Sequence, residues 1–271
     1  MPVRANQISY LCRNKILPVM KALCVGVIAL LLSSFTSLRS NPDIPINAVA
    51  SSSHSLLHAF APVHGSVSMA DSARFDQLYN DLNLEGLSLS RAAYHKAVLG
   101  YIALQMMGMI HNADVLSIVD FSLPSSQKRL FVIDMLNGRL LFNTLVAHGR
   151  NSGALMATRF SNRTNSFMSS LGFYLTGDPF MGGHGYSLQL QGLERGWNDH
   201  AFARRIIMHS ADYVSEEHIQ QWGTLGRSEG CPAIPEALNA PIIDEIKGGS
   251  CLFLYAPDKR YSRHGVASLA G

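Results

Sequence analysis

The sequence predicts a mainly β fold with peripheral α-helices, sandwich-like or barrel-like. Three observations carry that expectation. From Asp114 onward the chain is a series of short runs rich in Val, Ile, Leu and Phe. Asn137-Gly138 separates two of these runs, a strong signal for a hairpin. Glycines punctuate the rest, and few helical segments stand between the strands, which argues against a doubly wound parallel sheet.

Taken in order, Ser72 to Leu82 and Ser90 to Met109 read as helices. Ser90 is placed to act as an N-cap. Tyr94, Val98, Tyr101 and Leu104 recur at helical spacing and define one apolar face. Met106, Met107 and Met109 at the end of that helix read as core filler. Val115 to Phe121, Arg129 to Met135 and Arg139 to Val146 read as strands, the last two joined by the Asn-Gly turn. Further strands are expected at Gly172 to Thr176, Tyr186 to Gln191, Ile206 to His209 and Cys251 to Tyr255. Short helices fit Ser215 to Trp222 and Pro235 to Ile246. The pairing is expected to be mostly antiparallel, and no internal repeat is visible.

The charge is unevenly distributed. The 271-residue chain has a formal net charge of +3, with 22 basic and 19 acidic residues. Five of the basic residues, Arg4, Arg13, Lys15, Lys21 and Arg39, lie in the first forty positions, where no acidic residue occurs. The remainder has 17 basic against 19 acidic residues, a net charge of −2. The basic character therefore belongs to the N-terminus, and no basic run interleaved with aromatics follows it. Nucleic-acid binding is not expected.

A basic stretch ending at Lys21, the apolar run Ala22 to Leu32 and the small polar residues Ser33 to Ser37 follow the order of a secretory signal. The apolar run is short for a span, which needs about 20 residues. Residues 1–37 are read as a signal peptide, with an uncleaved N-terminal membrane anchor as the alternative. Residues 38–71, rich in Ser, Pro and Asn, read as a linker, and 72–271 as a domain that begins with helices. The mature chain is expected in the periplasm or the cell wall. Cys12 and Cys24 leave with a cleaved signal, and Cys231 and Cys251 remain. Cys251 lies in a run that reads as a buried strand, which favours two free thiols over a disulfide.

Cys231 carries the strongest chemical signal. It stands in Gly226-Arg227-Ser228-Glu229-Gly230-Cys231-Pro232-Ala233, where Gly230 and Pro232 force a defined turn. Backbone N–H groups around such a turn can bind a developing oxyanion. A thiol nucleophile also needs a base. His209 ends the apolar run Ile206-Ile207-Met208 and reads as an imidazole delivered at a strand tip. His148 and His184 compete for that role, while His200 and His218 look peripheral. A metal reading would gather His184, His200, His209 and Asp212, but it lacks a compact ligand pair such as H-E-x-x-H.

The segment from His209 to Ala233 resembles the catalytic motif of the murein L,D-transpeptidases, the YkuD-type fold. VAHGRNSG (Val146 to Gly153), GHGYSLQLQGLE (Gly183 to Glu194), RRIIMHSADYV (Arg204 to Val214) and GRSEGCPA are similar to a divergent branch of that family. The resemblance spans roughly Phe75 to Pro257 and implies a YkuD-type β-sandwich or barrel-like catalytic domain. It implies Cys231 as nucleophile, His209 as general base, Gly230 as the residue that lets the backbone form the oxyanion site, and Ser228 as a turn-shaping hydroxyl. Glu229 stands where many members carry a second histidine, and Ala233 where a polar residue is common.

The implied substrate is a peptidoglycan stem peptide. Cys231 would form a thioester with release of the terminal D-alanine, and an amine on a second stem would resolve it into a diaminopimelate cross-link. No cofactor or metal is implied. His184, Ser187, Arg150 and Arg205 are the candidates for holding substrate, the arginines as carboxylate clamps. Water as acceptor would make the same site an L,D-carboxypeptidase, and a wall-protein-releasing amidase would use the same thioester. A catalytically silent wall-binding module is the alternative from a different class, because Glu229 beside the thiol would blunt it.

Overall fold

The computed structural model describes residues 69–262. The segment read as a signal or anchor lies outside the described residues, as does the linker up to position 68. No helix among the described residues is long and apolar enough to cross a membrane.

Two helices open the domain, α1 (Met69–Asp81) and α2 (Arg91–Met106). The Ser90 hydroxyl accepts from the Ala93 N–H at 3.2 Å and caps α2 as expected. The expected face of Tyr94, Val98, Tyr101 and Leu104 is buried, with Ala93, Ala97 and Gly100 beside it. Gly100 is required by packing, since a Cβ there would lie 1.9 Å from the ring of Phe173. The methionines correct the expectation. Met106 and Met107 end the helix and are exposed, and only Met109 packs against the core.

Eight strands form one sheet in the order β3-β2-β1-β8-β4-β5-β6-β7. They are β1 (Val115–Asp120), β2 (Leu130–Asp134), β3 (Arg139–Thr144), β4 (Gly172–Gly182), β5 (Gly185–Gly192), β6 (Ile207–Ser210), β7 (Ala233–Ile234) and β8 (Cys251–Tyr255). Most neighbouring pairs are antiparallel, but β1 runs parallel to β8 and β6 parallel to β7. β1, β2 and β8 are buried along their whole length, which explains why they are largely apolar, with Ser117 and Asp120 in β1 and Asp134 in β2 as the polar exceptions. The helices α3 (Glu216–Trp222) and α4 (Glu236–Ile246) flank β7, and a short α5 (Lys259–Ser262) follows β8.

β4 is longer than expected. A register shift between Thr176 and Pro179 takes in Gly177 and Asp178, and the strand then resumes against β5. The Asn137-Gly138 hairpin is present, though its turn spans residues 135–138. The Asn137 N–H there donates to Asp134 Oδ1 at 2.8 Å.

The sheet nearly closes on itself, and this closure builds the site. Beyond β3 the chain reaches β7, where the Ala147 N–H donates to the Ala233 carbonyl at 2.8 Å. Ser228 N–H then bonds His148 O at 3.0 Å, and Arg150 N–H bonds Ser228 O at 2.7 Å. His148-Gly149-Arg150 is thereby laid alongside the turn that carries Cys231.

Candidate active site

Cys231 and His209 are brought together by strand register. β6 and β7 pair in parallel with His209 opposite Ala233 and Ser210 opposite Ile234. Cys231 enters β7 two residues before Ala233, so it lies beside Ile207, two residues before His209. Residues two apart on a strand share a face. Strands about 4.8 Å apart, with a rise of about 3.3 Å per residue, put the two backbones roughly 8 Å apart on the diagonal. Both side chains line one cleft of about 1140 Å³.

The turn before Cys231 is clipped by one hydroxyl. Ser228 Oγ accepts from the Gly230 N–H at 3.1 Å and donates to the Cys231 carbonyl at 2.6 Å. Gly230 has φ +129, and a Cβ there would stand 2.8 Å from the Met168 carbonyl oxygen. Its own carbonyl accepts from Ser169 Oγ at 3.1 Å. With its N–H held by Ser228, Gly230 supplies shape to the turn. The backbone donors that face the sulfur are the N–H groups of Ile207 and of Cys231 itself.

The thiol is partly buried, and burial pushes its pKa up. The Ile207 N–H and the Arg204 guanidinium oppose that shift, and the Glu229 carboxylate adds to it. The Cys231 sulfur also points at the Arg205 carbonyl, 3.8 Å away. His209 is buried, and burial lowers its pKa; the Ser210 carbonyl works against this and His184 with it. His209 Nδ1 lies 2.8 Å from Ser210 O, an acceptor only, so Nδ1 carries the proton. Nε2 then holds the lone pair. Both shifts favour the uncharged forms, thiol and imidazole.

His184, on the β4–β5 turn, stacks on His209 with ring centroids 4.3 Å apart. Arg150 lines the cleft, with its guanidinium 3.9 Å above the Phe167 ring and one nitrogen 3.4 Å from Glu229. Arg205 lines it too and is exposed. Ser187 does not: it is fully buried on β5, its hydroxyl donates to Gly185 O at 3.1 Å, and it is absent from the cleft wall. Ser187 shares its face of β5 with Gln189, which does line the cleft, so burial and not strand alternation separates the two.

His148 is buried with both ring nitrogens occupied. Nδ1 accepts from Arg129 at 2.8 Å and Nε2 lies 3.3 Å from Gly153 O. His200 faces Asp199 at 3.9 Å, and His218 bonds the Thr224 carbonyl at 2.8 Å. Cys231 and Cys251 are both free, and Cys251 is wholly buried, which drives its thiol pKa up.

Three cleft residues were not legible as such. Arg204 is held by the carbonyls of Ser161 and Met168 at 2.8 and 2.6 Å, and its charge favours the Cys231 thiolate. Tyr213 lines the cleft with its pKa pushed up to about 12, by burial first and by Cys231 next. Arg227 completes the rim. The Arg204-Arg205 pair gives no sign of which guanidinium turns inward. Tyr213 and Arg227 lay inside motifs already quoted, so motif membership was the available signal.

The family model described as L,D-transpeptidase catalytic domain matches residues 85–255. No curated protein matches the chain. Among solved structures, an L,D-transpeptidase from Mycobacterium smegmatis is similar at 13% identity and TM-score 0.33, over 53% of this chain and 59% of that one. An L,D-transpeptidase from Xylanimonas cellulosilytica is similar at 14% identity and TM-score 0.32, over 52% and 60%. The helical cell shape determining protein of Campylobacter jejuni is similar at 14% identity and TM-score 0.36, over 63% and 58%. This chain thus spans about 60% of the length of the structures it matches. The family model covers well over half of the chain, and on that match the chain belongs to the L,D-transpeptidase catalytic domain family.

Proposed function

We propose that this domain is an exported cysteine acyl-transferase acting on peptidoglycan stem peptides. The observation that supports this most is the pairing of a thiol with an imidazole whose Nδ1 is committed to the Ser210 carbonyl, within one cleft. His209 Nε2 takes the Cys231 proton as Sγ attacks the carbonyl of the third stem residue. The amide C–N bond breaks, and the leaving D-alanine amine takes that proton. Because burial raises the thiol and lowers the imidazole, proton transfer accompanies attack. The Cys231 backbone N–H is the donor this reading offers to the developing oxyanion. Arg205 offers a guanidinium to a stem carboxylate.

An amine resolving the thioester makes a diaminopimelate cross-link. Water makes a tripeptide, the carboxypeptidase outcome, and release of a wall-linked protein would use the same intermediate. One observation favours a second reading, a silent wall-binding module: Glu229 and burial both work against the thiolate. Mass spectrometry of purified muropeptides incubated with the domain separates these readings, with Cys231→Ala as control. Cys231-dependent dimers joined through diaminopimelate are the expected result. Cys231-dependent tripeptides without dimers mean a carboxypeptidase. A pool unchanged from the Cys231→Ala control refutes the acyl-transferase.

A further inference from the structure

Four guanidiniums line the cleft, those of Arg150, Arg204, Arg205 and Arg227, and Glu229 is the only acidic residue among the described residues that line it. Glu229 also walls a second hollow of about 300 Å³, which is lined by Thr164, Asn165 and Phe167 and shares Arg204 and Arg205 with the main cleft. Glu229 therefore stands where the two spaces meet, two residues from the nucleophile. An ammonium entering this field is repelled everywhere except beside Glu229, whereas water is indifferent to it.

The Arg150–Glu229 pair has the form of a receptor for a zwitterion. Its two charges are 3.4 Å apart, and the side chains are 49% and 70% exposed. An exposed pair of this kind contributes little and exchanges readily. Arg150 is held in place by its seat on Phe167, 3.9 Å away, independently of Glu229. A carbon bearing both an ammonium and a carboxylate can set its carboxylate on Arg150 and its ammonium on Glu229.

We propose that Glu229 and Arg150 select the acyl acceptor, an amine that carries an α-carboxylate, over water and over simple amines. The assignment rests on the acyl-transferase reading and names the acceptor of that same site. The bound ammonium loses one proton to solvent, and the free amine nitrogen attacks the thioester carbonyl. The C–S bond breaks, an amide bond forms, and the second amine proton reaches Sγ through His209.

The test uses the domain with a stem tetrapeptide donor and glycine, glycinamide or methylamine as acceptor, at equal concentrations of free amine. The readout is the ratio of aminolysis to hydrolysis product by mass spectrometry. Both products leave one thioester, so the ratio does not depend on how fast that thioester forms. The expected result is a preference for glycine over glycinamide and methylamine of about tenfold, the scale of one charge-assisted hydrogen bond. Glu229→Gln lowers the aminolysis ratio about tenfold for all three amines. Arg150→Gln removes the preference for glycine over glycinamide. A Glu229→Gln protein with the wild-type ratio overturns the proposal, as does a wild type indifferent to the acceptor's carboxylate. Absence of Cys231-dependent D-alanine release refutes the acyl-transferase reading instead, and the acceptor assignment falls with it.

Discussion

His148 and His209 pose one problem with two solutions. Each is a buried imidazole just past an apolar run, at the seam where the sheet nearly closes. His148 accepts from Arg129 on one nitrogen and faces the Gly153 carbonyl with the other, and burial first, then Arg129, pull its pKa down to about 4. Its ring is consumed by structure. His209 gives one nitrogen to Ser210 and keeps the other for the cleft, where His184 covers one face. Burial alone does not mark a working histidine. What sets His209 apart from His148 is a ring nitrogen with no hydrogen-bond partner among the described residues.

The largest expected effect is on activity at His209. Cys231→Ala should abolish acyl transfer, and His209→Ala should lower kcat/KM about 10²–10⁴-fold, the range of a general base. Cys231→Ala should unfold in urea within about 1 kcal/mol of wild type, and His209→Ala, which loses a buried ring and its bond to Ser210 O, should cost about 1–3 kcal/mol and remain folded. Wild-type turnover in His209→Ala would erase the contrast with His148.

Arg129→Met attacks the other side. Arg129 is fully buried, with its own pKa pulled down to about 9 by burial, and it bonds Val146 O, Leu123 O and His148. Its loss strands two carbonyls and the imidazole, and urea titration should show a cost of about 3–5 kcal/mol. An unchanged midpoint would mean that this hub does not hold the seam.

His148 also sets an acid dependence. The unfolded chain protonates this ring near its ordinary value of 6.5, but the folded protein only near 4. Stability is therefore lost as pH falls from about 6.5 toward 4, by ~3 kcal/mol at most for a shift of this size. Replacing His148 with Gln should flatten that part of the urea-midpoint-versus-pH curve. A curve as steep as wild type would assign the acid loss to other groups.

The smallest effect sharpens the His209 side. His184→Ala removes both a cover and a repelling charge, so the His209 pKa should rise toward its ordinary value. A base works when neutral, so the acid limb of kcat/KM should move to higher pH. His184→Phe keeps the cover and should move it less. A shift to lower pH in either variant would contradict the stacked arrangement.

The strands were legible where the chain is buried on both faces. β8 shows as an apolar run and β1 as an apolar-rich one interrupted by Ser117 and Asp120, both with boundaries within a residue of those found. The turn at Cys231 and the strand tip at His209 were legible because both are local patterns. Non-local pairing was not. β7 has two residues, too few to show a period, and only the Ala147 and Ser228 bonds reveal that the sheet nearly closes there. Ser187 reads as a cleft residue because it shares a strand face with the cleft-lining Gln189, and the alternation gives no sign that it is buried. Met106 and Met107 were misplaced because composition does not show that the apolar face of α2 stops at Leu104.

The most direct test is the intact mass of the protein after mixing with a stem tetrapeptide and no amine acceptor. The wild type should gain the mass of the tripeptide acyl group at Cys231, and Cys231→Ala should gain nothing. His209→Ala should acylate at least a hundredfold more slowly. Acylation of His209→Ala at the wild-type rate would contradict the account, because the free nitrogen that separates His209 from His148 would then play no part in the chemistry.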